Sequence, residues 1–347
     1  MFTDIALSDS DRKAIHDLAL DARDLLTNEA RDLLEGVYGL TANGVLTPLS
    51  RLPNLKDDRE GQETYKRLGR FLDDEVKAGL DRREAVDKLV KEIAFTHLNR
   101  FVAFKMMETR RLIRQAVGKG RESNGFKFYL ADHPDEEALW KTGDAGAETA
   151  YRHFLLWQCA QVAREVKVLF DPTTLPSRLF PRPNALRELL TLLNDERLAP
   201  AWASAETIGW VYQYFNEREK ADVFDRLYKK KQKIRREDIP AATQLFTPRW
   251  IVRFLVENTL GRTWVELHPD SRLKDELRYS SPEKSFPNLA QTDAVSETAS
   301  VLLAGKNLSG HLYLVPLDPS PTRGGKTNSP FPNREGGRGV RLARDIT

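Results

Sequence analysis

The chain of 347 residues holds a single cysteine, Cys159. One thiol excludes an internal disulfide and any multi-cysteine zinc site, and it fits a reducing compartment. Long apolar runs are missing: no stretch approaches the roughly 18–20 uncharged apolar residues of a membrane span. The N-terminus, Met1-Phe2-Thr3-Asp4-Ile5, lacks the basic and apolar segments of a secretory signal. A cytoplasmic protein without membrane contact is expected. Charge of one sign is lacking too. The 54 basic and 51 acidic residues give +3, and residues 321–347 hold six basic and two acidic ones, which leaves the first 320 at −1. Any nucleic-acid surface on the folded part must therefore be a local patch. None of the six histidines pairs with another at metal-ligand spacing on one helix, so no metal site is expected. His97, among Phe95, Leu98 and Phe101, reads as a hydrogen-bonded core residue.

Strand signals are few; the best are Phe126–Leu130 and His311–Val315. Helical spacing dominates instead. Ser8–Leu40 reads as one helix or a helical pair, and Asp81–Val117, free of proline and glycine, as a central buried helix closed by Gly118 and Gly120. Ala147–Phe170 reads as a helix stopped by Asp171-Pro172. Asn184–Leu193 and Ala205–Tyr228 follow, the latter interrupted by the polar Asn216–Lys220. The expected fold is mainly α. Residues 319–339, rich in Pro, Gly, Ser and Arg, lack the apolar side chains needed to offset their ordering entropy, and are expected to be disordered.

Several motifs carry chemistry by their letters. Gly324-Gly325-Lys326-Thr327 resembles the end of a phosphate-binding loop, but Ser320 stands where its first glycine belongs and no strand precedes it. Pro134-Asp135 with Glu165-Val166-Lys167 has the letters of a metal-dependent nuclease; in a chain with 30% charged residues such letters also arise by chance. The run Arg226–Arg236, with Lys229, Lys230, Lys231, Lys233, Arg235 and Arg236, can neutralise DNA phosphates or form a solvated helix face. Just beyond it comes Thr243-Gln244-Leu245-Phe246-Thr247-Pro248-Arg249-Trp250-Ile251-Val252, where Thr247 is a candidate N-cap and Pro248 a first helical residue, opening a helix that Gly261 can close.

This last pattern, with Asn258-Thr259-Leu260-Gly261-Arg262-Thr263-Trp264, resembles the cofactor-side motif of γ-class adenine-specific DNA methyltransferases. It is most similar to the large enzymes of BREX and phage-growth-limitation defence systems and to type IIG restriction enzymes. Ile208–Phe215 and Asn99–Glu108 resemble the helical N-terminal region of that family, and Leu33–Leu40 does so more loosely. The resemblance implies S-adenosylmethionine as cofactor, double-stranded DNA as substrate, and Thr243, Gln244, Phe246, Thr247 and Pro248 on the cofactor side. It implies a helical N-terminal domain over 1–240, the start of the methyltransferase domain over 241–280, and a linker, low-complexity insertion and lead-in over 281–347. The family's Asp-Pro-x-x-Gly-x-Gly turn and Asn-Pro-Pro-aromatic loop do not occur in these 347 residues. The expectation is thus an N-terminal fragment, truncated before the Rossmann-like catalytic sheet, that holds no catalytic residue and is inactive without a separately encoded catalytic half or other defence-system proteins. The alternative is a non-catalytic helical module that binds DNA or a defence-system protein.

Overall fold

Helix α1 runs unbroken from Asp9 to Tyr38, as one helix rather than a pair. In the computed structural model, which describes residues 7–235, 238–243 and 245–279, both its ends are chemically specified. Ser8 and Asp11 form a reciprocal capping box at the start, and Gly39 ends the helix at φ 64°. A Cβ at Gly39 would lie 2.6 Å from that of Thr47, so both its conformation and its surroundings require glycine. After a turn held by an antiparallel bridge between Leu40 and Leu46 come α2 (Arg59–Lys77) and α3 (Arg82–Thr109).

The middle helix α3 is the axis of the fold. An Asp81–Glu84 capping box starts it, and buried residues from Ala85 to Met106 occupy all of its faces, as expected for a helix with neighbours on every side. It packs against α1, α2, α8 (Leu175–Arg178) and α10 (Thr207–Phe215). Its first half joins a core of Leu34, Leu55, Leu68, Leu72 and Leu89. Its second half joins a larger core with Phe126, Phe154, Phe170, Leu189 and Phe215.

Helix α3 stops at Thr109, not near Gly118. The chain reverses through Arg111, a non-glycine residue at φ 58°, and the Glu108 carboxylate accepts the amides of Ala116, Val117 and Gly118 at 2.9, 2.9 and 3.2 Å. The segment expected as a strand, Phe126–Leu130, lies in α4 (Asn124–Asp132). Its inward residues are Phe126, Tyr129 and Leu130, a helical spacing, while Lys127 and Phe128 face out, and the Ser123 side chain caps the helix. Helix α5 (Pro134–Trp140) follows.

The helix expected over Ala147–Phe170 is two: α6 (Asp144–Val162) and α7 (Lys167–Phe170). The turn between them directs Phe170 into the core, 5.1 Å from the ring of Phe104. Helix α9 (Pro183–Leu193) matches its expected span. Helices α10 and α11 (Glu217–Tyr228) are parted by Asn216 alone, whose side-chain amide donates to the Tyr212 carbonyl at 3.0 Å.

Two compact units divide the chain between Leu255 and Val256. The first ends with α12 (Ile239–Thr243) and α13 (Arg249–Val256, one residue past the division). The described part of the second contains a π-turn over Glu257–Gly261, then α14 (Arg262–Leu267) and α15 (Leu273–Glu276). Within it Gly261 is right-handed and helical at φ −61°, so it does not close a helix as expected; the path continues into α14. Among the described residues there is no β-strand, only the Leu40–Leu46 bridge, and no helix is long and apolar enough to cross a membrane. The candidate strand His311–Val315, the glycine-lysine motif at 324–327, the tail at 319–339 and the segment 281–347 lie outside the described residues.

Candidate functional site

Helix α10 turns Trp210, Val211 and Phe215 into the core, which leaves Glu206, Gly209 and Gln213 on a neighbouring face. The loop at 245–248 docks on that face. The Phe246 amide donates to the Gln213 side-chain carbonyl, Oε1, at 3.0 Å, and the Phe246 ring meets Trp210 edge-on, 5.4 Å between centroids at 61°. The ring rests where a side chain at Gly209 would be, 2.0 Å from an added Cβ. Glu206 completes the joint: one carboxylate oxygen accepts the Arg249 amide at 3.0 Å and the other lies 3.4 Å from the Trp210 indole nitrogen.

Helix α13 opens one residue later than its sequence suggests. The Pro248 carbonyl accepts the amides of Ile251 and Val252 at 3.0 and 3.3 Å, and the Glu206 carboxylate lies at the start of the helix, where the dipole favours negative charge. Pro248 is buried and Phe246 half-buried, while Thr243 and Thr247 are exposed. The Thr243 hydroxyl donates to its own helix at the Ile239 carbonyl, 2.8 Å away. Gln244 lies outside the described residues. Two segments that resemble the family, Ile208–Phe215 and Thr243–Val252, therefore meet through Trp210, Gln213 and Phe246. Glu206 and Gln213 were not singled out individually; only the folded loop shows which of their neighbours they hold.

The basic run does not form the helix face considered above. Helix α11 ends at Tyr228, and the exposed chain from Lys229 to Arg235 is irregular, with Lys231 at φ 53°. Part of its charge is taken up by neighbouring acids. Lys229 pairs with Asp225 at 2.7 Å, Arg226 grips Asp238 through two 2.9 Å bonds, and Arg235 meets Asp238 at 3.1 Å and Glu84 at 3.5 Å. The Arg226 bonds, with those of Arg235, hold the Asp238 carboxyl below its ordinary range. Lys230, Lys231 and Lys233 are exposed and form no ion pair with another described residue; Arg236 lies outside the described residues.

The Asn99–Glu108 segment serves the core. Arg100, buried, donates to the Leu169 carbonyl and the Ser177 hydroxyl, both at 2.6 Å, and desolvation lowers its pKa. Lys105 joins Glu108 at 3.1 Å and Asn194 at 2.6 Å. His97 is the hydrogen-bonded core histidine expected, with Nε2 3.0 Å from the carbonyls of Pro176 and Leu179. The nuclease letters are spread over different elements: Asp135 in the first turn of α5, Glu165 in the turn after α6 and Lys167 at the start of α7. Among the described residues no three His, Cys, Asp or Glu side chains gather to hold a metal ion.

The first unit is thus a helical bundle onto which the 245–249 loop is locked through α10, and sequence comparison supplies the family context. No family model matches the chain. It is 32% identical over 245 residues to the adenine-specific methyltransferase BrxX of Escherichia coli O9:H4 (strain HS), covering 63% of this chain and 19% of that protein. It is 28% identical over 328 residues to the adenine-specific methyltransferase PglX of Lacticaseibacillus casei (strain Zhang), covering 83% of this chain and 26% of that protein. The chain is thus related to PglX-like adenine-specific methyltransferases, and it spans 19–26% of the length of these relatives.

Proposed function

We propose that this chain supplies the helical region of an S-adenosylmethionine-dependent DNA adenine-N6 methyltransferase of a bacterial anti-phage or restriction-modification system, acting in the cytoplasm. In this reading residues 1–240 form a helical domain, and 241–280 begin the methyltransferase domain. The joint between α10 and the Phe246 loop carries the reading, because it brings together two segments whose sequence resembles the family.

In this reading the cofactor supplies the methyl group. Thr243, Gln244, Phe246, Thr247 and Pro248 would line one side of the cofactor, and Thr247 is exposed. The Arg249 amide is held by Glu206, and the Phe246 ring is turned onto α10. The groups that would take up a flipped adenine, the family's Asn-Pro-Pro-aromatic loop, do not occur in this sequence. In this reading the chain alone does not methylate DNA. Incubating it with labelled cofactor and an adenine-containing duplex, with and without a catalytic half, tests this: methylation without a partner would overturn it.

A second reading, a non-catalytic DNA-binding module, is favoured by one observation. Lys230, Lys231 and Lys233 lie together on an exposed irregular segment without partner acids among the described residues. They can neutralise backbone phosphates in either reading.

A further inference from the structure

A second site lies within the first unit, in a pocket of about 500 Å³ beside α9. That volume is in the range of small-molecule sites, roughly 300–1,000 Å³. Its floor is apolar, made by Pro181, Pro183, Leu186 and Leu190 with the ring of Tyr151, whose hydroxyl is turned to the Ala116 carbonyl at 2.8 Å. Four cations stand around it: Lys119, Arg121, Arg152 and Arg187. Arg121 is paired with Asp144 at 2.6 Å and Arg187 with Glu148 at 3.4 Å, whereas Lys119 and Arg152 have no acidic partner among the described residues. Two positive charges are left over, which suits a dianion.

Glu148 adds the third element. Its Oε1 is buried against Arg187, 3.4 Å from Nε, while the side chain as a whole stays 16% exposed and lines the pocket, so its carboxylate can still accept from a ligand. A ligand that matches all three features carries a doubly charged anion, a flat apolar body and an N–H donor on that body.

We propose that this pocket binds a nucleoside monophosphate, with the phosphate between Lys119 and Arg152, the base on the proline and leucine floor, and a base N–H donated to Glu148. The site shares no residue with the α10 joint, so it stands or falls apart from the methyltransferase reading.

Calorimetric titration of the full chain with adenosine 5′-monophosphate tests it, with ribose 5-phosphate and adenosine as partial probes. The nucleotide should bind at least tenfold more tightly than either part. Lys119→Ala with Arg152→Ala should weaken it at least tenfold while leaving adenosine binding unchanged. Glu148→Ala should weaken the nucleotide severalfold and leave ribose 5-phosphate unchanged, with circular dichroism confirming that each variant is folded. No binding at millimolar nucleotide, equal binding of inorganic phosphate, or binding untouched by both sets of substitutions would overturn the proposal.

Discussion

The ring of Phe246 occupies the space above Gly209 that any larger residue would need: an added Cβ would come within 2.0 Å of Cε2 and 2.8 Å of Cγ. The whole ring edge blocks the position, and no rotation of a flexible tip can clear it. Gly209→Ala should therefore lift the loop from α10 and cost about 1–3 kcal/mol, the usual range for overpacking. Urea unfolding should show the loss. Intrinsic fluorescence should shift as well, because Trp210 loses its neighbour; an unchanged spectrum and midpoint would mean the loop is not held there.

Glu108 ties off α3 by accepting three amides, and its side chain is only 5% exposed. Glu108→Ala would strand those amides and leave the Lys105 ammonium with Asn194 but no counter-charge. The expected cost is about 3–5 kcal/mol, as for other broken buried pairs. Glu108→Gln keeps one acceptor and should recover part of it, and thermal melts of the two variants would separate charge from hydrogen bonding.

Burial holds His97 neutral, with its pKa lowered from 6.5 to about 3. Below pH 6.5 the unfolded chain binds a proton that the folded chain refuses, so this residue withdraws stability as pH falls from about 6.5 towards 3. The slope from one proton is about 1.4 kcal/mol per pH unit. Comparing urea midpoints of the native chain and His97→Gln between about pH 7 and about pH 4.5 should show a flatter dependence in the variant. Parallel curves would show that His97 takes up its proton in the folded state.

Replacing Lys230, Lys231 and Lys233 with alanine should weaken duplex binding and reduce the magnitude of the log–log salt slope by about 0.9 for each phosphate that these lysines neutralise. Stability should stay within about 0.5 kcal/mol, as for surface positions remote from packing. An unchanged salt slope would remove this segment from the DNA-binding surface.

Much of the helical architecture was legible because its signals are local. The apolar spacing along α1, α3 and α9 acts within a few residues of itself. The failures arose where a distant interaction outweighed local preference. Alternating aromatics at 126–130 suggested a strand, yet burial of Phe126 beside Tyr151 and Phe154 at 5.3 and 5.6 Å selected a helix. The end of α3 had no glycine or proline to mark it, since a side chain, Glu108, makes the turn.

What the amino-acid sequence determined by itself was the helical class, the family likeness and the general position of the candidate loop, all written in short-range pattern. Tertiary structure alone decided which groups meet. Glu206 and Gln213 hold the Phe246 loop, Arg226 and Asp238 tie down the two ends of the basic run, and Arg121, Arg152 and Glu148 converge on one pocket. Most of these partners lie tens of residues apart, so hydrogen bonding and charge pairing select them only after the helices have packed.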